Sequence, residues 1–190
     1  MLPVTDLYRL MSNFDNNVNN EGMNDKIIKK IQEIISNNHQ EKKLILKGIS
    51  IVDPYLFLNI SNDKDKGHEN AKKFIDEIIK KFNSVKIKIY SDVSRKNNGK
   101  TVDIVQVKKF FKDKSNINLY NSNNWHDRPI VLHFEKESKP EYFGILIGSS
   151  IGSIEGKKIY FVCDINDEDT KKTIDILKKF ETAALTISPS

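Results

Sequence analysis

Ile27, Ile28, Ile31, Ile34 and Ile35 recur at the spacing of one helix face, which predicts an amphipathic helix from Asp25 onward, with Asn24 placed to cap its first free amides. The next apolar stretch, LILKGISIVDPYLF from Leu44 to Phe57, is rich in branched residues and too short for two helices. It predicts a buried central strand that ends at Asp53 and Pro54 and carries Asp53 and Tyr55 at its tip. Ala71, Phe74, Ile75, Ile78, Ile79 and Phe82 mark a second helix, followed by the alternating strand Val85, Ile87, Ile89. Strand, helix and strand imply a parallel crossover.

After the polar loop SRKNNGK, the residues Ile104, Val105, Val107, Phe110 and Phe111 predict a third helix, and Ile117 to Tyr120 a short strand. Pro129 to Phe134 and Tyr142 to Ile147, joined by EKESKP, read as a hairpin. A strand from Lys158 to Cys163 then leads to a last helix bearing Ile174, Ile176, Leu177 and Phe180. The expected fold class is α/β, a mixed sheet flanked by helices. The domain should occupy residues 24–182, between an Asn-rich arm at 1–23 and a frayed tail at 183–190.

Composition narrows this picture. A chain of 190 residues supports one domain with a real core. With 38% hydrophobic and 30% charged residues and no apolar run long enough to span a bilayer, it is not expected to be an integral membrane protein. The N-terminal segment lacks the basic start and apolar stretch of a secretory signal, and the single Cys163 has no disulfide partner. A cytoplasmic location follows as the expectation. The net charge of +5, from 31 Lys and Arg against 26 Asp and Glu, permits nucleic acid or an anionic membrane as partner. No cofactor is implied, and no metal-ligand spacing joins His39 and His68.

Candidate chemistry concentrates late in the chain. Asn123, Asn124, Trp125, His126, Asp127 and Arg128 open a predicted strand, whose period of two would put His126 and Arg128 on one face with Asp127 opposite. Gly148, Ser149 and Ser150 follow the next strand, where a small residue allows close approach of a ligand and hydroxyls can donate to anionic oxygens. Together they form a candidate phosphate site: Arg binds phosphate through paired charge-assisted bonds, and His can act as nucleophile or general acid. Taken alone, the same residues also describe a surface hydrogen-bond cluster followed by a turn, the commoner arrangement. Trp125, Tyr55 and Phe57 could stack on a ligand or pack internally, and Cys163 reads as a buried thiol.

The order of a strand ending in IVDPY, two crossovers, WHDRPIVLHF, a hairpin and YFGILIGSSIGSI resembles the phospholipase D superfamily over about Lys43 to Phe180. The nearest likeness is to the phospholipase D-like domain that follows microtubule-interacting-and-trafficking modules, which also shows a DPY strand end and an HDR triplet. His126 matches that superfamily's histidine and Ser149 its Gly-Ser serine. Its lysine is Arg128 here, its aspartate position holds His133, and Gly152 stands where an Asn is expected. The resemblance implies a homodimer that binds a phosphate group of a polyanion, anionic phospholipid or nucleic acid, through His126, Arg128, Ser149, Ser150 and Asp53 without turnover. The alternative it implies is a metal-independent homodimeric phosphodiesterase or nuclease. There His126 would form a phosphohistidine intermediate, a second His126 would protonate the leaving group, Arg128 would clamp charge and Asp53 would orient the imidazole. Trp125 and the apolar segment Ile151 to Ile154 would supply dimer contacts.

Overall fold

In the segment from Ile45 to Val52 (β1) the last five residues are buried, as a strand covered on both faces requires. The computed structural model describes residues 23–61, 66–97, 99–122, 125–148, 150–153 and 162–182. The remaining strands are β2 (Lys86–Ser91), β3 (Lys96–Asn97), β4 (Lys100–Thr101), β5 (Ile117–Asn121), β6 (Pro129–Lys136), β7 (Lys139–Ile147) and β8 (Val162–Ile165). The helices are α1 (Met23–Lys42), α2 (Leu56–Ser61), α3 (Lys66–Lys81), α4 (Ile104–Phe111) and α5 (Asp167–Thr182). Six strands form one mixed sheet in the order β5-β2-β1-β6-β7-β8, so the fold is α/β.

β2 pairs parallel with β1 and β5 parallel with β2, as the two crossovers require, while β6 runs antiparallel to β1. Parity along each strand divides two cores. Ile49, Ile51, Ile87, Ile89, Ile130 and Leu132 join Ile27, Ile31, Phe74, Ile78, Val107 and Phe111 from the helices in the large cluster. Each such fully buried side chain contributes about 1.5–3 kcal/mol relative to exposure. Val52, Tyr90, Tyr120 and Val131, on the opposite parity, meet Ile174 and Leu177 of α5. Gly144 permits that contact, since a Cβ there would stand 2.9 Å from Thr170 Oγ1.

Several local expectations change. Asn24 lies within α1 rather than capping it, and its amide donates to the Asn70 carbonyl at 3.3 Å. The predicted strand Leu44 to Phe57 stops at Val52, because Pro54 cannot donate to a ladder, and Leu56 begins α2. SRKNNGK contains the short β3–β4 pairing, closed at Gly99 with φ 76°. The β6–β7 turn is tighter than the sequence suggested: only Glu137 and Ser138 lie outside the strands, with φ of 50° and 65°, the left-handed backbone of a two-residue hairpin turn. Residues 125–128 have no strand structure; β6 begins at Pro129. The first part of the predicted strand Lys158 to Cys163, most of the N-terminal arm and the tail 183–190 lie outside the described residues. Among the described residues no helix is long and apolar enough to cross a membrane.

Candidate functional site

β1 and β2 are adjacent and parallel, so the loops leaving their C-terminal ends share one edge of the sheet, where parallel α/β sheets place ligands. Each strand is followed by a buried aspartate, Asp53 after β1 and Asp92 after β2. Each carboxylate accepts the amide of the residue two positions on: Tyr55 N donates to Asp53 Oδ1 at 2.9 Å and Ser94 N to Asp92 Oδ1 at 2.8 Å. These local bonds turn the chain sharply at both strand ends. Each aspartate also holds an arginine, Arg95 Nε at 3.2 Å from Asp92 and Arg128 Nε at 3.9 Å from Asp53. Both guanidinium groups lie over the Tyr55 ring, Arg95 at 5.1 Å and Arg128 at 5.7 Å from its centroid.

The two arginines differ in how far they are committed. Arg95 Nη2 donates to the Trp125 carbonyl at 3.1 Å and approaches His126 Nδ1 at 3.4 Å. At 3.9 Å the Arg128 contact is a charge interaction rather than a hydrogen bond; Nε of each arginine is buried without a hydrogen-bond partner, and Arg128 lacks the Nη2 bonds that Arg95 makes. Asp53 is occupied elsewhere: Oδ2 accepts from Ser150 Oγ and from Ile151 N, both at 2.7 Å. Burial pushes the Asp53 carboxyl above the ordinary carboxylate range, while the Tyr55 amide, the Ser150 hydroxyl, the Ile151 amide and the Arg128 charge pull it back. Arg128 is therefore a half-buried cation whose guanidinium forms no hydrogen bond to another described residue.

His126 is exposed on the irregular segment, and its imidazole meets Arg95, not Asp53. A guanidinium N–H only donates, so a hydrogen bond at this contact would use the Nδ1 lone pair, the tautomer that carries the neutral ring's proton on Nε2. In that tautomer Nε2 offers a donor, suited to holding a phosphate oxygen and unsuited to attacking phosphorus. Trp125 packs at 5.7 Å from the Phe180 ring of α5, which decides its ambiguity for packing, and Phe57 is buried in the large core. Tyr55, half-buried beneath two guanidinium groups, belongs to the site.

Ser150 is brought to Asp53 as the sequence implied, and Asn59 Nδ2 also donates to Ser150 Oγ at 3.0 Å. Ser149 lies outside the described residues. Gly152 leaves no room for the Asn expected there: a Cβ would stand 2.6 Å from Asn59 Cγ and 2.7 Å from the Gly67 carbonyl. Ile151 is fully buried within its own chain, so it cannot serve as a dimer contact; Ile154 lies outside the described residues.

His133 is not in the site. It pairs with Gly48, five residues before Asp53, and its Nε2 lies 2.8 Å from Ser50 Oγ. Burial first, and the Lys88 charge second, hold its pKa down at about 4 against the opposing charge of Glu181. A histidine with a lowered folded pKa contributes stability that is complete above its unfolded value of about 6.5 and is lost as pH falls toward its folded value. Wild type should therefore lose about 2–3 kcal/mol between pH 6.5 and 4 that His133→Gln does not lose, read from urea midpoints across that range. Equal losses in both proteins would contradict this account. His39 and His68 turn their Nδ1 atoms to the carbonyls of Leu44 and Asn59, each at 3.2 Å, which are local structural contacts. The Cys163 thiol is half-buried and pushed up first by burial and then by Asp164.

Sequence reasoning missed Arg95 and Asp92. The available signal was YSDVSR at the end of β2, which repeats the Asp-terminated strand of IVDPY at the end of its neighbour. Against known proteins the chain matches no family model and no curated sequence.

Proposed function

We propose that this domain binds a phosphate group of a polyanion at the end of β1 and β2, between Arg128, Arg95 and the Nε2 side of His126, without turning it over. The observation that carries the reading is Arg128: a guanidinium held at 3.9 Å from a buried carboxylate already filled by three other donors, and without a hydrogen-bond partner among the described residues. Such a cation is available for the paired, charge-assisted bonds that phosphate accepts. Two features weigh against turnover, the Nε2–H tautomer favoured by Arg95 and the closed space at Gly152.

A homodimer belongs to the alternative, catalytic reading, since turnover would need a second imidazole and, among the described residues, His126 alone stands at this site. Calorimetric titration with inorganic phosphate and with a dinucleotide is the direct test. Binding is expected, with no release of nitrophenol from bis(p-nitrophenyl) phosphate in the presence of EDTA. Release that His126→Ala abolishes, in a sample that sediments as a dimer, would overturn the non-catalytic reading. Absence of any binding heat at millimolar phosphate would overturn the site itself.

A further inference from the structure

Residues 94–114 carry seven Lys and Arg against two Asp, a net charge of +5 that equals the surplus of the whole chain. This basic stretch starts beside the site at Arg95 and continues through β3, β4 and α4. On α4, Val107 and Phe111 are fully buried, and Val105, Lys108 and Lys109, with Lys112 at the helix C-cap, are spaced three and four apart on the opposite face. Lys96, Lys109 and Lys112 are exposed and Lys108 is half-buried.

Several lysines elsewhere in the fold have a carboxylate partner. Lys30, Lys47, Lys88 and Lys172 pair with Asp164, Glu135, Glu181 and Glu168. Among the described residues, Lys96, Lys108, Lys109 and Lys112 form no ion pair, while Lys114 at the far end meets Asp76 at 3.4 Å. A surface that gathers like charges without compensation raises the local potential for a polyanion.

From this we infer that the outer face of α4, together with the β3–β4 hairpin, is a track along which a nucleic-acid strand runs out of the phosphate site. The inference rests on the reading of that site given above. α4 is about 12 Å long, enough to span roughly three phosphates of one strand. A lipid surface is the poorer fit, because membrane-binding basic helices insert several apolar residues, and here Val105 alone, 73% exposed, stands outside the core.

The experiment compares wild type, the triple variant Lys108→Ala/Lys109→Ala/Lys112→Ala, and Arg128→Ala, using a labelled twenty-nucleotide oligothymidylate, inorganic phosphate and phosphatidylserine vesicles. Alanine, the strongest helix former, preserves the helix at these positions. The triple variant should bind the oligonucleotide about tenfold or more weakly, with the slope of log affinity against log salt reduced by about 2, and should bind inorganic phosphate as wild type does. Arg128→Ala should weaken both ligands. An unchanged oligonucleotide affinity and slope in the triple variant would overturn the track while leaving the site intact. Loss of phosphate binding in no variant would count against the site alone. Wild-type protein that binds the vesicles and ignores the oligonucleotide would also overturn the track.

Discussion

Asp53→Ala is expected to destabilise the domain by about 3–5 kcal/mol, the cost of breaking a buried charge pair by removing one partner. For a chain of this size that corresponds to a fall in Tm of roughly 6–20 °C. The carboxylate is fully buried and ties three segments together: the turn after β1 through Tyr55 N, the 3-10 turn Ile151–Ser153 through Ile151 N and Ser150 Oγ, and the start of β6 through Arg128. Removing it strands the backbone amides of Tyr55 and Ile151, the second of them buried. Asp53→Asn should lie between wild type and alanine, because the amide keeps one acceptor oxygen and turns a donor toward the Ile151 N–H. Thermal and urea melts provide the check. A Tm within about 3 °C of wild type for Asp53→Ala would show that the carboxylate does not hold the site together.

Arg128→Ala should weaken phosphate binding by about 10- to 100-fold, since each charge-assisted hydrogen bond is worth about 1.5–3 kcal/mol. Arg128→Lys should recover only part of that loss, because an ammonium keeps the charge and loses the fork that pairs with two phosphate oxygens. An equal affinity for the lysine variant and wild type would argue against paired recognition. Arg95→Ala should act less directly. It frees the Trp125 carbonyl and the His126 imidazole, so the loop that carries His126 loosens along with the loss of charge. Arg128 also influences stability through Asp53. Removing the cation lets burial raise the carboxyl further, so the stability deficit of Arg128→Ala is smallest at low pH, where Asp53 is protonated with or without Arg128. The deficit should grow as pH rises above the wild-type Asp53 pKa.

Much of the architecture was legible in the chain because it depends on local periodicity. Isoleucines at helical spacing in α1, branched runs in β1 and β2, and aromatic and aliphatic residues on one face of α3 each fix an element within a few residues of its observed bounds. Local patterns failed where a single residue changes the backbone. Pro54 ends β1 and hands Leu56 and Phe57 to a helix, and His126 and Arg128 sit on an irregular segment before β6.

Arg128 was legible as a candidate because a guanidinium suits phosphate, and Asp53 because it stands at the tip of a predicted buried strand. Which residues meet was settled only by strand order. Asp53 reaches Ser150 and Ile151 across 97 and 98 positions of sequence, and Arg95 reaches His126 across 31. Asp92 and Arg95 looked like members of an ordinary polar loop until β2 was set parallel beside β1, which brings both aspartates to one edge and both guanidinium groups over Tyr55. Ile151 looked like an exposed loop residue until the same packing enclosed it. Period and residue type thus determined the elements and the kind of chemistry. Tertiary structure alone decided which side chains share it, because hydrogen bonds and charge contacts act over a few ångströms and the chain brings distant residues that close only by folding.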